Sequence, residues 1–411
     1  MSVSLSRRAL LRQALIAAVA GKAASATGSP ATRSRLADWL NDAEFSDFVR
    51  AGMASQHVPG LSLVALEEGR IVHQAGFGLA DLEARRPMTP DTLMNIASVT
   101  KTITCTAVMQ LHEQGRLDLD GPIDPYLPFK VRNPGFAGQP LTARQLLTHT
   151  SSVADGPAYE ASYHCGDPQV PLAEWLSKYF EPGGAHFDAA GNFHPWGPGG
   201  TWAYSNVGYG LLGLLVERIG GLPFPEYCMR NIFAPLGMQR SRFLLAGMDR
   251  AAHATTYTYA ADGNVEAVEL REPQWSAPAT NGQGIEVPLC LYSFATPPDG
   301  LARCTAAELA RFLSAYAQGG ALDGARILKA GTVARILSDQ RVRREEPGRE
   351  IQGLAWYEED GVWGHSGGDP GVATHMAFRP ADGRGIVLFL NAHARLRSEI
   401  VERVFAWKGR Q

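Results

Sequence analysis

The sequence predicts an α/β fold of the α+β type: an antiparallel sheet flanked by helices, with a mostly helical lobe inserted. Two observations carry this reading. Strand-like text clusters near both ends of the 411-residue chain. Between them lie helical segments joined by long Gly/Pro-rich loops. Strands so far apart in sequence most simply close into one antiparallel sheet around the insertion. The sheet lobe is expected over about 36–90 and 289–411, and the helical lobe over about 91–288.

In chain order, Leu36 to Ala54 has helical apolar spacing and reads as one helix. Leu61–Leu66 and Ile71–Gly78 read as paired strands around a Glu68-Gly69 turn. Met94 to Met109 reads as a buried helix ending near Gly115. A short helix is expected from Leu141 to Leu147, and another from about Val207. Gly361–Gly367, Ala373–Phe378 and Ile386–Leu390 read as strands, with a hairpin at Asp382-Gly383. A last helix is expected from about Ser398 to Trp407.

The first 26 residues read as a twin-arginine signal peptide. Ser6-Arg7-Arg8-Ala9-Leu10-Leu11-Arg12 precedes an apolar run and the small residues Ala24-Ser25-Ala26. A periplasmic or secreted bacterial protein, residues 27–411, is therefore expected. The segment holds four bases and no acid, so its removal takes the formal charge from −3 to −7. That balance argues against nucleic acid or an anionic membrane surface as partner. No apolar run is long enough for a membrane span. The five cysteines match no zinc or redox spacing. Cys105 reads as a small buried hydrophobe, and a disulfide among the others is left open. His164, Cys165, His186 and His194 crowd the loop from Tyr163 to Gly200 but fit no ligand template, so no metal or cofactor is expected.

Chemistry concentrates in three places. Ser98 and Lys101 lie three apart, on one helical face. A Lys in an apolar helix must be paired or lose its proton, and a neutral amine beside a hydroxyl is a base beside a nucleophile. Only 6 of the 38 basic residues are Lys, so this position holds the minority side chain that can be deprotonated. Downstream, Tyr204-Ser205-Asn206 stands where a Gly/Pro turn meets a helix, so a proton-relaying phenol and a carboxamide can face one cleft. Third, His365-Ser366-Gly367-Gly368 is a strand whose glycines allow close backbone approach.

In order and spacing these pieces resemble the serine beta-lactamase and penicillin-binding-protein superfamily, whose motifs are S-x-x-K, S-D-N and K-T-G. The Y-x-N form points to the class C beta-lactamase-like branch, with its DD-peptidases, D-aminopeptidases and lactamase-fold esterases. The resemblance implies a beta-lactamase/transpeptidase-like fold with catalytic Ser98, Lys101 and Tyr204. Ser98 would form an acyl-enzyme, Lys101 act as base or tune one, and Tyr204 relay protons. Asn206, His365, Ser366, Gly367 and Gly368 would contact substrate, and the N–H groups of Ser98 and Gly368 would form an oxyanion hole. His365 stands where the family carries Lys and offers a charge to a carboxylate only when protonated. Ser152 and Pro298-Asp299 also depart from the pattern and are expected at the pocket rim. Phe193-His194-Pro195-Trp196 and Trp275 are candidates for an apolar acyl or aryl subsite.

The reading is an exported serine hydrolase of a small ester, amide or short peptide, esterase or D-amino-acid-type peptidase in kind. A class C-like beta-lactamase or DD-carboxypeptidase is the first alternative. A non-catalytic sensor of peptidoglycan or beta-lactam is the second, and intact Ser98, Lys101 and Tyr204 argue against it. An acyltransferase would differ only in what takes the acyl group. The sequence leaves oligomeric state open.

Overall fold

The computed structural model describes residues 34–278, 283–340 and 351–408. The expected signal peptide lies outside them. The elements that position the site are helices α1 (Arg35–Leu40), α2 (Ala43–Ser55), α3 (Thr100–Glu113), α4 (Asn206–Gly220), α5 (Ala306–Ala317) and α6 (Leu396–Ala406). The strands are β1 (Gly60–Glu67), β2 (Arg70–Asp81), β3 (Arg86–Pro87), β4 (Ile351–Gln352), β5 (Tyr357–Glu359), β6 (Val362–Asp369), β7 (Val372–Arg379) and β8 (Arg384–Leu390). They form one antiparallel sheet of order β4-β5-β6-β7-β8-β1-β2-β3. The two ends of the chain meet where β1 pairs with β8, Leu63 opposite Leu388.

Period-two alternation divides the sheet between two cores. Leu61, Leu63, Ala65, Ile386, Leu388 and Leu390 pack with Leu36, Val49, Ile400 and Val404 of α1, α2 and α6. Val64, Leu66, Val387 and Phe389 face the other way, into the core that holds α3, α4 and α5. Burial on both faces explains why Ile386–Leu390 is apolar at every position.

The predicted first helix is two. Asn41 and Asp42 interrupt it, and the Asn41 side chain turns back to the Ala37 carbonyl. The expected helix from Met94 begins only at Thr100, because Leu93–Asn95 is drawn into a strand pair with Arg303–Thr305. The middle of the chain also contains a hairpin the sequence reading passed over, Thr256–Ala260 with Ile285–Leu289.

Cys165 and Cys290 form a disulfide across 125 positions, and Cys105 is buried, its thiol against the Leu354 carbonyl. Closing so long a loop restricts the unfolded chain by up to about 5 kcal/mol in the chain-entropy picture. A Cys165→Ala/Cys290→Ala variant is expected to lose several kcal/mol of stability in denaturant titration. A midpoint equal to that of the parent would refute this.

His149, His253 and His365 are shut into the interior. Burial and then neighbouring positive charge push all three down, His253 and His365 to about 3. Below about 6.5 the unfolded chain protonates them while the folded chain does not, so stability falls as pH falls through that window. His375, pushed down to about 3 chiefly by burial, adds to them. Asp299 and Asp369, pushed up to about 7 chiefly by burial, and Glu217, raised by burial, act in the opposite sense but are fewer. The melting temperature should therefore drop between about pH 6.5 and 4.5, and a level or rising profile would contradict it.

Candidate active site

Ser98 sits in a tight turn, Ala97–Val99, that leads into α3. Ala97 has φ +46°, the left-handed region that a Cβ disfavours. Its neighbours hold it there. The Ala97 N–H donates to Asn95 Oδ1 at 2.8 Å, the Ile96 N–H to the Ala302 carbonyl at 2.9 Å, and Thr374 Oγ1 to the Ile96 carbonyl at 2.7 Å. Gly367 of β6 closes the turn from above: a Cβ there would lie 2.5 Å from the Ile96 oxygen. Ser98 thus stands at a helix N-terminus, where free N–H groups favour developing negative charge.

Lys101 is fully buried. Its Nζ contacts Ser98 Oγ at 3.3 Å, Asn206 Oδ1 at 2.7 Å and the Asp299 carbonyl at 2.9 Å. The rings of Tyr204 and Tyr209 flank it, centroids at 4.8 and 5.4 Å. Three acceptors satisfy an ammonium's three donors. A neutral amine would keep two donors on the carbonyl oxygens and turn its lone pair to the serine.

Each partner has its own support. Asn206 opens α4, whose N-terminus is capped twice. Ser205 Oγ accepts from the Gly208 N–H at 3.0 Å. The Asp155 carboxylate accepts from the Ser205 hydroxyl and the N–H groups of Asn206 and Val207 at 2.8–3.1 Å. The Asp299 carbonyl arrives on a turn nested against α4. Side chains at Gly210 and Gly213 would strike Thr296 Cγ2 at 2.6 Å and Pro298 Cγ at 2.0 Å. The Asp299 carboxyl accepts from Tyr159 Oη at 3.2 Å and from Thr296 Oγ1. Burial pushes it up to about 7, while Lys101 pulls it back.

Tyr204 is held by His149. The two rings stack with centroids 4.3 Å apart. The His149 carbonyl accepts from the Ala203 N–H at 2.8 Å, and its Nδ1 accepts from the Ser205 N–H at 3.1 Å. One residue thus grips both neighbours of Tyr204 and its ring.

On β6, His365 is buried, Ser366 and Gly368 are exposed, and Gly367 presses on the nucleophile turn. Beyond Gly364, β6 has no pairing with β5, so residues 365–369 leave one edge of the sheet open. His365 Nδ1 bonds the Ser366 carbonyl at 2.6 Å. Burial and then the Lys101 charge hold the ring neutral, down to about 3, so it offers no positive charge to a carboxylate.

The structure brings Ser98, Lys101, Asn206 and Tyr204 into mutual contact, with Gly367 above them. Other expectations need correction. Ser152 and Pro298-Asp299 are buried, not on the rim. Ser152 takes an Asn133 hydrogen bond at 3.1 Å, and Asp299 lies behind Lys101. Phe193 belongs to the core and is unavailable to a subsite. His194 stacks on Trp196, centroids 4.5 Å apart. Trp202, 47% exposed and 6.5 Å from the Tyr204 ring, is the open aromatic beside the site. In the His/Cys-rich loop, both His164 nitrogens meet backbone carbonyls and Cys165 is in the disulfide. Sequence reasoning missed Asp155 and the supporting roles of His149 and Asp299. Asp155, four residues after Ser151, carries no pattern of its own.

Comparison with known proteins gives the same picture. The family model described as beta-lactamase matches residues 45–410. Penicillin-binding protein 4* of Bacillus subtilis (strain 168) is 25% identical over 82% of this chain and 69% of its own length. Esterase EstB of Burkholderia gladioli is 31% identical over 60% of this chain, a match that spans only 58% of the esterase. Among solved structures, the octameric penicillin-binding protein homologue from Pyrococcus abyssi superposes with a TM-score of 0.68 at 25% identity. It covers 88% of this chain and 76% of that one. With a family match over nearly its whole length, the chain belongs to the beta-lactamase family and is a serine hydrolase of that fold.

Proposed function

We propose that the protein hydrolyses an ester or amide through an acyl-enzyme on Ser98. The observation that carries this is the placement of Lys101, whose buried Nζ reaches Ser98 Oγ while two carbonyl oxygens hold it in line. Ser98 Oγ attacks the substrate carbonyl carbon and its proton passes to the lone pair of Lys101 Nζ in its neutral amine form. N–H groups at the start of α3, with that of Gly368 on the open edge of β6, stabilise the oxyanion. Collapse of the tetrahedral intermediate breaks the bond to the leaving alcohol or amine, which takes a proton delivered through Tyr204. Water then repeats the attack, releases the acid and restores Ser98. Asn206 has two tasks in this scheme, orienting Lys101 and facing the substrate. The esterase and penicillin-binding protein among the relatives support ester or amide chemistry. The neutral His365 supports a substrate without a carboxylate at that position.

The disulfide and the twin-arginine text support export, since such bonds persist in oxidising compartments.

Ser98→Ala should lower turnover of a p-nitrophenyl ester by roughly 10³-fold or more while the melting temperature holds. Retained turnover would move the chemistry elsewhere. Intact mass of the wild-type protein mixed with that ester should show an acyl adduct that Ser98→Ala lacks. For export, Arg7→Lys/Arg8→Lys should leave the precursor in the cytoplasmic fraction of a bacterial host, and unchanged periplasmic recovery would reject the twin-arginine reading.

A further inference from the structure

Alternate residues of β6 face the nucleophile. Gly367 is one, since its missing Cβ points at Ile96 and Ala97. His365 and Asp369, two positions to either side, share its face. Both present acceptors. The Ser366 carbonyl can only accept, so His365 Nδ1 carries the proton in the neutral ring and Nε2 is a bare lone pair. That Nε2 is buried and has no hydrogen-bond partner. Asp369 is partly exposed, and its Oδ1 accepts from the Tyr163 hydroxyl at 3.0 Å. Among the described residues no Lys, Arg or His forms an ion pair with it. Arg303, which shares that interior, is engaged by the carbonyls of Phe243 and Tyr292. A carboxylate drawn out of water without a cation is costly, and a cationic ligand removes that cost.

The position is also built. Tyr163 stands two residues before Cys165, and Tyr292 two after Cys290. The disulfide and the pairing of Cys165 with Tyr292 bring the two phenols to the end of β6. There Tyr163 holds Asp369 and Tyr292 donates to the Pro370 carbonyl at 3.0 Å. Asp369 lies about 7 Å along the strand from Gly367, a span that suits a group one or two bonds from the acyl carbon.

We propose that Asp369 receives a free ammonium group of the substrate, with His365 Nε2 accepting a further donor. The preferred substrates are then esters or amides bearing an uncapped amine close to the scissile carbonyl. This rests on the hydrolase reading above and names its substrate class. A substrate carboxylate in the same place would face the Asp369 carboxyl and the bare His365 Nε2 in place of a cation.

The test compares kcat/KM for methyl esters of phenylalanine, N-acetylphenylalanine and phenyllactate, in D and L forms, with p-nitrophenyl acetate alongside. Wild type should favour the free amine at least tenfold in one stereochemical series. Asp369→Asn should erase most of that ratio, chiefly through KM. Tyr163→Phe, which keeps the charge and removes its tether, should weaken the ratio severalfold and serves should Asp369→Asn fail to fold. Wild-type turnover of p-nitrophenyl acetate without an amine preference overturns this inference alone, as does a preference that survives in Asp369→Asn. No turnover of any ester overturns the hydrolase reading and this one with it.

Discussion

A buried lysine with three acceptors is the constraint on which the rest of this structure depends. Stripping water from an ammonium costs several kcal/mol unless each donor is met. The three acceptors on Lys101 come from points 105 and 198 positions away and from its own first turn. Each needs a distinct local device. Ser98 needs the left-handed Ala97 and the glycine pressing on it. Asn206 needs a helix capped by Ser205 and Asp155. The Asp299 carbonyl needs the notch that Gly210 and Gly213 cut into α4. Losing any one leaves a buried donor unmet, so the interaction that serves the chemistry also welds sheet, helix and inserted turn together.

Legibility in the sequence follows from how each residue contributes. Ser98, Lys101, Tyr204 and Asn206 act through side chains at short spacing and could be singled out. Asp299 contributes its backbone carbonyl to Lys101, which any residue type could do, so it was misplaced to the rim. His149 could be seen as a landmark, but its grip on Tyr204 depends on a fold in which positions 149 and 204 meet. The sheet was readable because its strands alternate or are uniformly apolar. The start of α3 was not, because pairing with Arg303–Thr305 overrides the local helical pattern of Met94–Ala97. The pairing of Cys165 with Cys290 had no local signal at all.

On the proposed reading, reaction and recognition meet in Asn206 and the glycines of β6 and separate elsewhere. The nucleophile turn, Lys101 and Tyr204 are framed by α3, α4 and the 296–299 turn. His365 and the partly exposed Asp369 with its two phenols lie to either side of Gly367 and supply none of the three acceptors on Lys101. The relatives it resembles are named as a penicillin-binding protein and as an esterase, so one fold hosts more than one activity.

None of the three contacts on Lys101 involves the disulfide, whereas Tyr163 and Tyr292 each lie two residues from one of its ends. A newly made, still reduced chain would carry its catalytic frame complete and its selective edge unfastened. On the reading proposed above, closing the Cys165–Cys290 bond would fasten that edge, tying substrate choice to the oxidation of two thiols far from Lys101.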